Sequence, residues 1–158
     1  MRNSIRALLV TFALAGLSCG SNDKDLSKFV GVWGQPAGTY TIMCTGLGTS
    51  TTQVTGTETW STSSTSDLVQ TIPDTTCVFH ANASASTASG VSGQSCVINA
   101  TTTNGIAYTE TMNFTSYTFV VSPDGKTATE NFAGNATDNA AGVTYSCTFT
   151  QTASYTKQ

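Results

Sequence analysis

The sequence predicts an all-β domain: a single antiparallel up-and-down β-barrel of about eight strands, with a β-sandwich as the alternative. Three observations carry this. Apolar residues alternate with Thr and Ser along most of the chain, turn residues fall between the alternating runs, and no amphipathic helix follows residue 29. Alternation places one face of a strand in a core and the other in water, and Thr is itself a good strand former. Short strands joined by tight turns must close or stack to bury their apolar faces and remove their edges.

The runs follow in order. Tyr40-Thr41-Ile42-Met43-Cys44 alternates, as does Val54-Thr55-Gly56-Thr57-Glu58-Thr59-Trp60. Thr75 to Ala81 and Cys96 to Thr102 are two more. Tyr108 to Phe114 is the cleanest and continues through Tyr117, Phe119 and Val121; Thr127 to Ala136 and Val143 to Tyr155 complete the set. Asn104-Gly105 is a two-residue hairpin signal, Ser122-Pro123-Asp124-Gly125 places Pro and Gly where a turn wants them, and Asn139 to Gly142 reads as a further loop.

The 158 residues suit one domain, and charged residues make up only 9% of them. Past residue 18 no Arg remains, and the cations are Lys24, Lys28, Lys126 and Lys157. Losing the two positive charges of Arg2 and Arg6 takes the formal net charge from −3 to −5. Phosphate binding needs clustered cations, so nucleic acid is excluded as a partner.

Residues 1–18 read as an export signal: Arg2 and Arg6 form a positive start, and Ala7 to Leu17 is apolar but too short to span a bilayer. Leu14-Ala15-Gly16-Leu17-Ser18-Cys19 resembles a bacterial lipoprotein signal, although Gly16 stands where an aliphatic residue is usual. The resemblance implies a lipid on Cys19 and contact with the membrane through that lipid alone. Gly20, rather than Asp, after the cysteine implies an outer-membrane lipoprotein of the cell envelope, facing periplasm or cell surface. Cleavage after Ala13-Leu14-Ala15, giving a soluble secreted protein, is the alternative. Residues 19–28 form the lipidated cysteine and a short tether, and residues 29–158 the barrel.

Four cysteines then remain, an even number suited to an oxidising compartment. Of the three possible pairings, Cys77–Cys96 would pin one hairpin and Cys44–Cys147 would join the first and last strands. No CxxC spacing is present, which argues against a metal site.

Asp25-Leu26-Ser27-Lys28-Phe29-Val30-Gly31-Val32-Trp33 resembles the opening of a lipocalin, in which a helical turn leads through Gly-x-Trp into the first strand. Gly31 and Trp33 match that motif, and the resemblance implies that Trp33 closes the base of the barrel. Avidin-like barrels and small bacterial barrel-type protease inhibitors open similarly. The Arg that lipocalins carry on the last strand and their Thr-Asp-Tyr motif are both missing here.

Glu58, Glu110 and Glu130 are the only glutamates, and each shares a strand face with large apolar groups. If that face lines the barrel, three carboxylates point inward, where burial and mutual repulsion raise their pKa values. Trp60, Glu58, Tyr108, Glu110, Met112, Phe114, Glu130 and Phe132 are the candidate ligand-binding residues; Phe119, Tyr145 and Phe149 lie on the same faces. A barrel of this size is either filled by such residues or holds one small ligand. His80 is the only histidine and its strand phase turns it outward. With one His, no Arg and no nucleophile-elbow pattern, the sequence gives no catalytic residues, cofactor or metal. The function expected is binding of a small apolar molecule or lipid by a monomer. A filled structural envelope lipoprotein and a barrel-type protease inhibitor are the alternatives.

Overall fold

Strict alternation shows most plainly at the C-terminal end of the chain. Cys147, Phe149, Gln151, Ala153 and Tyr155 are buried while the residues between them are exposed. The computed structural model describes residues 24–71, 77–101, 105 and 107–158; the export signal, Cys19 and the Asn104 hairpin position lie outside these. It contains ten strands: β1 (Gly31–Cys44), β2 (Gly48–Gln53), β3 (Glu58–Thr62), β4 (Leu68–Thr71), β5 (Val78–Ser84), β6 (Thr87–Gly90), β7 (Ser95–Thr101), β8 (Ala107–Val121), β9 (Thr127–Ala140) and β10 (Val143–Lys157).

All pairings are antiparallel. Eight strands form a ring in the order β1-β3-β4-β5-β6-β8-β9-β10, closed by β10 pairing with β1 from Trp33↔Lys157 to Cys44↔Cys147. The barrel-like architecture and near-sequential strand order are those expected from the alternation. β2 and β7 stand outside the ring. β1 pairs through Gly31–Trp33 with β3 and through Thr39–Cys44 with β2. β8 pairs through Thr118–Val120 with β6 and through Ala107–Asn113 with β7. At one end, therefore, the sheet closes completely. At the other, β2-β1-β10-β9-β8-β7 continues as an open, curved wall.

Two bulges make the long strands serve both ends. The register shifts between Gly34 and Ala37 on β1 and between Phe114 and Ser116 on β8. Each extra residue reverses which alternate positions face inward. On β8 the inward set changes from Tyr108, Glu110, Met112 and Phe114 to Tyr117, Phe119 and Val121.

The expected loop at Asn139–Gly142 is shorter than the sequence suggested. β9 runs to Ala140, and Ala141 and Gly142, with φ of 50° and 79°, make a two-residue turn. Positive φ at both positions matches the twist of the flanking strands. β2, β4 and β6 did not stand out as runs, because β2 is polar on both faces and the other two have four residues each.

Residues 24–28, expected within the tether, lie against the barrel. Lys24 Nζ is 2.5 Å from Asp67 Oδ2, and Asp67 also accepts the Ala83 backbone N–H at 2.7 Å. Leu26 packs on the core, and Phe29 is buried in it after a turn closed by its N–H on Leu26 O. Trp33 is fully buried, donates its indole N–H to Phe29 O at 2.8 Å and meets Phe119 edge-on. Lys157 Nζ, on the last strand, lies 5.4 Å from the centre of the Trp33 ring. This places a cation over the aromatic face.

Candidate functional site

The interior has two regions of different character. The first fills the closed ring. Glu58 on β3 and Glu130 on β9 are 6% and 1% exposed. Gln70 on β4 donates to Glu58 Oε2 at 2.5 Å and to Glu130 Oε1 at 3.3 Å. Tyr117 donates to Glu130 Oε1 at 2.5 Å and Gln151 to Glu130 Oε2 at 2.6 Å. The Tyr155 hydroxyl reaches Glu58 Oε1 and, at 3.1 Å, Glu130 Oε2. All four carboxylate oxygens therefore have protein donors.

Burial, and then the charge of Glu130 beside it, push Glu58 up to about 9. Glu58 accordingly carries a proton at neutral pH. The Tyr117 and Tyr155 phenols are pushed up as well, by burial first and then by the two carboxylates. Trp60, Phe119, Leu68 and Ala153 pack around this network. The pair is enclosed by this packing, and its hydrogen bonds satisfy polar groups that the strand alternation turns inward.

The second region is an open trough beyond the ring. Its outer part is about 390 Å³, lined by Tyr40, Ile42, Leu47, Tyr108, Glu110, Asp138, Ala140 and Tyr145. Its inner part is about 250 Å³, lined by Tyr40, Cys77, Ile98, Glu110, Met112, Phe114, Phe132 and Gln151. Tyr40 and Glu110 line both, so the two parts adjoin. Phe114, Phe132, Phe149 and Tyr40 pack ring against ring between the trough and the closed core. Gln151 joins the regions, with one face on the trough floor and its amide on Glu130.

The trough is acidic. Glu110 and Asp138 stand directly opposite each other on β8 and β9, facing inward, with Tyr145 beside Asp138 on β10. Tyr40 donates to Glu110 Oε1 at 3.3 Å. Burial and the Asp138 charge raise the Glu110 pKa, and burial raises that of Asp138.

The sequence-derived candidates separate along this division. Glu58, Glu130 and Trp60 belong to the filled core, where Trp60 is fully buried. Tyr108, Glu110, Met112, Phe114 and Phe132 line the trough. The sequence reading missed Asp138 and Gln70. Asp138 lay between an expected strand end at Ala136 and the expected loop at Asn139, although Ala136, Asp138 and Ala140 continue the alternation. Gln70 lies on the short β4.

Cys44–Cys147 and Cys77–Cys96 are disulfide-bonded. The Asp138 carboxylate lies near Cys44 and Cys147 in an arrangement with metal-ligand spacing, but the two sulfurs are joined to each other and offer no thiolate. His80 is half-buried on the outer face of β5, its Nδ1 3.1 Å from Ser66 Oγ.

No protein-family model, curated protein or solved structure matches the chain.

Proposed function

We propose that the domain is a binding barrel that holds a small, largely apolar molecule in the open trough and is carried on the bacterial cell envelope by a lipid on Cys19. One observation carries the reading. The closed ring is packed with its own side chains, whereas the wall beyond it encloses a concave space lined by Tyr, Phe, Ile and Met side chains. Concave, mostly apolar sites with a few placed polar groups are the usual form of a small-molecule site. The lipocalin-like opening at Gly31 and Trp33, and the lysine over Trp33, support the same reading. Two disulfides suit an exported protein.

Binding rather than catalysis is favoured because the best-formed acid pair, Glu58 and Glu130, is fully partnered and enclosed. The complete packing of that half also favours a second reading, a structural envelope protein with no ligand.

Native mass spectrometry of the full-length protein, purified from the cells that make it, separates the two. Cargo that is lost on denaturation supports the binding reading. A bare polypeptide mass, unchanged after incubation with a lipid extract of the same cells, supports the structural one.

A further inference from the structure

The two inward-facing acid pairs differ in how they are satisfied. In the closed core every carboxylate oxygen of Glu58 and Glu130 accepts a hydrogen bond from Gln70, Gln151, Tyr117 or Tyr155. In the trough the corresponding partners are missing. Asp138 Oδ1 is shut off from water and has no hydrogen-bond partner among the described residues. Its other oxygen faces the Cys44 and Cys147 sulfurs at 3.9 and 3.7 Å. Glu110 is held by Tyr40 at the long distance of 3.3 Å. Like charges directly opposite on neighbouring strands destabilise a sheet, and an unpaired buried carboxylate oxygen adds to that cost.

No Lys, Arg or His lines either part of the trough. The cations of the barrel are engaged elsewhere: Lys24 on Asp67, and Lys157 over Trp33 and on the Ser27 and Lys28 carbonyls. Lys126 sits in the β8–β9 turn, at the end of those strands away from Glu110 and Asp138. Lys28 lies beside Asp25, so among the described residues no cation is placed at this site. The aromatic side chains around the acids, Tyr40, Tyr108 and Tyr145, present faces that attract an ammonium group.

We propose that the trough binds an amphipathic amine: a protonated ammonium head seated between Glu110 and Asp138, with an apolar body running inward along Met112, Phe114 and Phe132. The ammonium pairs with the Glu110 and Asp138 carboxylates where they line the trough, replacing repulsion with charge-assisted hydrogen bonds. The apolar body fills the inner part of the trough, whose floor is Phe132 and Gln151. This inference rests on the trough being a binding site and names the ligand chemistry that site selects.

The test is a calorimetric titration of the full-length protein with three probes of equal chain length, each below its aggregation limit: dodecylamine, dodecanol and dodecanoate. The expected order is amine tighter than alcohol by about tenfold or more, with the carboxylate weakest. Glu110→Gln and Asp138→Asn should each remove most of the amine's advantage while leaving dodecanol binding unchanged. Both replacements keep side-chain shape, and an unchanged melting temperature confirms folding. Equal binding of amine and alcohol by the unaltered protein overturns the proposal and leaves an apolar site standing. Failure of all three probes to bind overturns the trough reading with it.

Discussion

Glu58 and Glu130 approach from strands on different sides of the ring, the Gln70 amide donates to both, and the Tyr155 hydroxyl lies within hydrogen-bond reach of both. Such a pair is stable only while it holds a proton, because burial opposes two charges in one dry space. The consequence is a pH-dependent fold. Glu58 has an ordinary value of 4.5 and is raised to about 9 in the folded protein. Between these values the folded state keeps a proton that the unfolded chain releases, so stability falls as pH rises. The contribution is complete below about pH 4.5 and is lost as pH rises towards about 9. Thermal melts across this range should show a falling midpoint, and Glu58→Gln, which copies the protonated acid, should flatten the fall. An equal slope in both proteins would count against the shared proton.

Lys157 over the Trp33 ring ties the last strand to a fully buried core residue of β1. An exposed cation over an aromatic face stabilises by about 0.5–1 kcal/mol. Lys157→Met should cost at least about that much in chemical denaturation, because it also removes the hydrogen bonds to the Ser27 and Lys28 carbonyls. Trp33→Ala should cost about 3–5 kcal/mol, because it empties a fully buried site and removes the hydrogen bond to Phe29.

Gly134 lies opposite Phe114, beside the β8 bulge, where a side-chain carbon would come within 2.2 Å of Asn113 O and 2.4 Å of the Phe149 ring. One of those contacts is backbone and cannot swing away. Gly134→Ala should therefore destabilise by about 1–3 kcal/mol in denaturant melts, as overpacked core sites do.

The Cys44–Cys147 bridge crosses the β1–β10 seam that closes the ring and joins residues 103 apart in sequence. Replacing both cysteines by serine should cost about 2–5 kcal/mol. Asp138, packed against the two sulfurs, should then sample more positions, which links the integrity of this bridge to the acidic site. Comparing amine affinity in the oxidised protein and the double-serine variant measures that link: a weaker affinity is expected in the variant.

The alternation of apolar residues with Thr and Ser made the strand class and the long strands β8 and β10 legible, and put Glu58, Glu110 and Glu130 on the apolar strand faces without fixing that those faces point inward. The bulge on β8 was not legible in the same way: the sequence there reads as one continuing run, although the apolar residues change from even positions through Phe114 to odd positions from Tyr117. What the sequence did not show was the division of the barrel. β2 and β7 leave the ring because β1 and β8 each have two partners along one edge, and such pairing is tertiary information with no local signal. Trp60 and Phe132 therefore looked equivalent as candidates, although one is sealed in the core and the other faces the trough. Asp138 escaped notice for a local reason. Asn, Asp and Gly mark loops, and here two of them occupy the end of a strand whose turn needs only Ala141 and Gly142.

A ligand held in the trough, and not on some other surface, is displaced when the trough is filled. Ala140 lines its outer part opposite Tyr108, is partly exposed, and offers a place to fill the space without disturbing the closed core. The most direct measurement is the binding of an apolar fluorescent probe to the unaltered protein and to Ala140→Trp. Saturable binding that is lost in the variant, with the melting temperature unchanged, is the predicted result. Equal binding by both proteins, or none by either, would contradict the account.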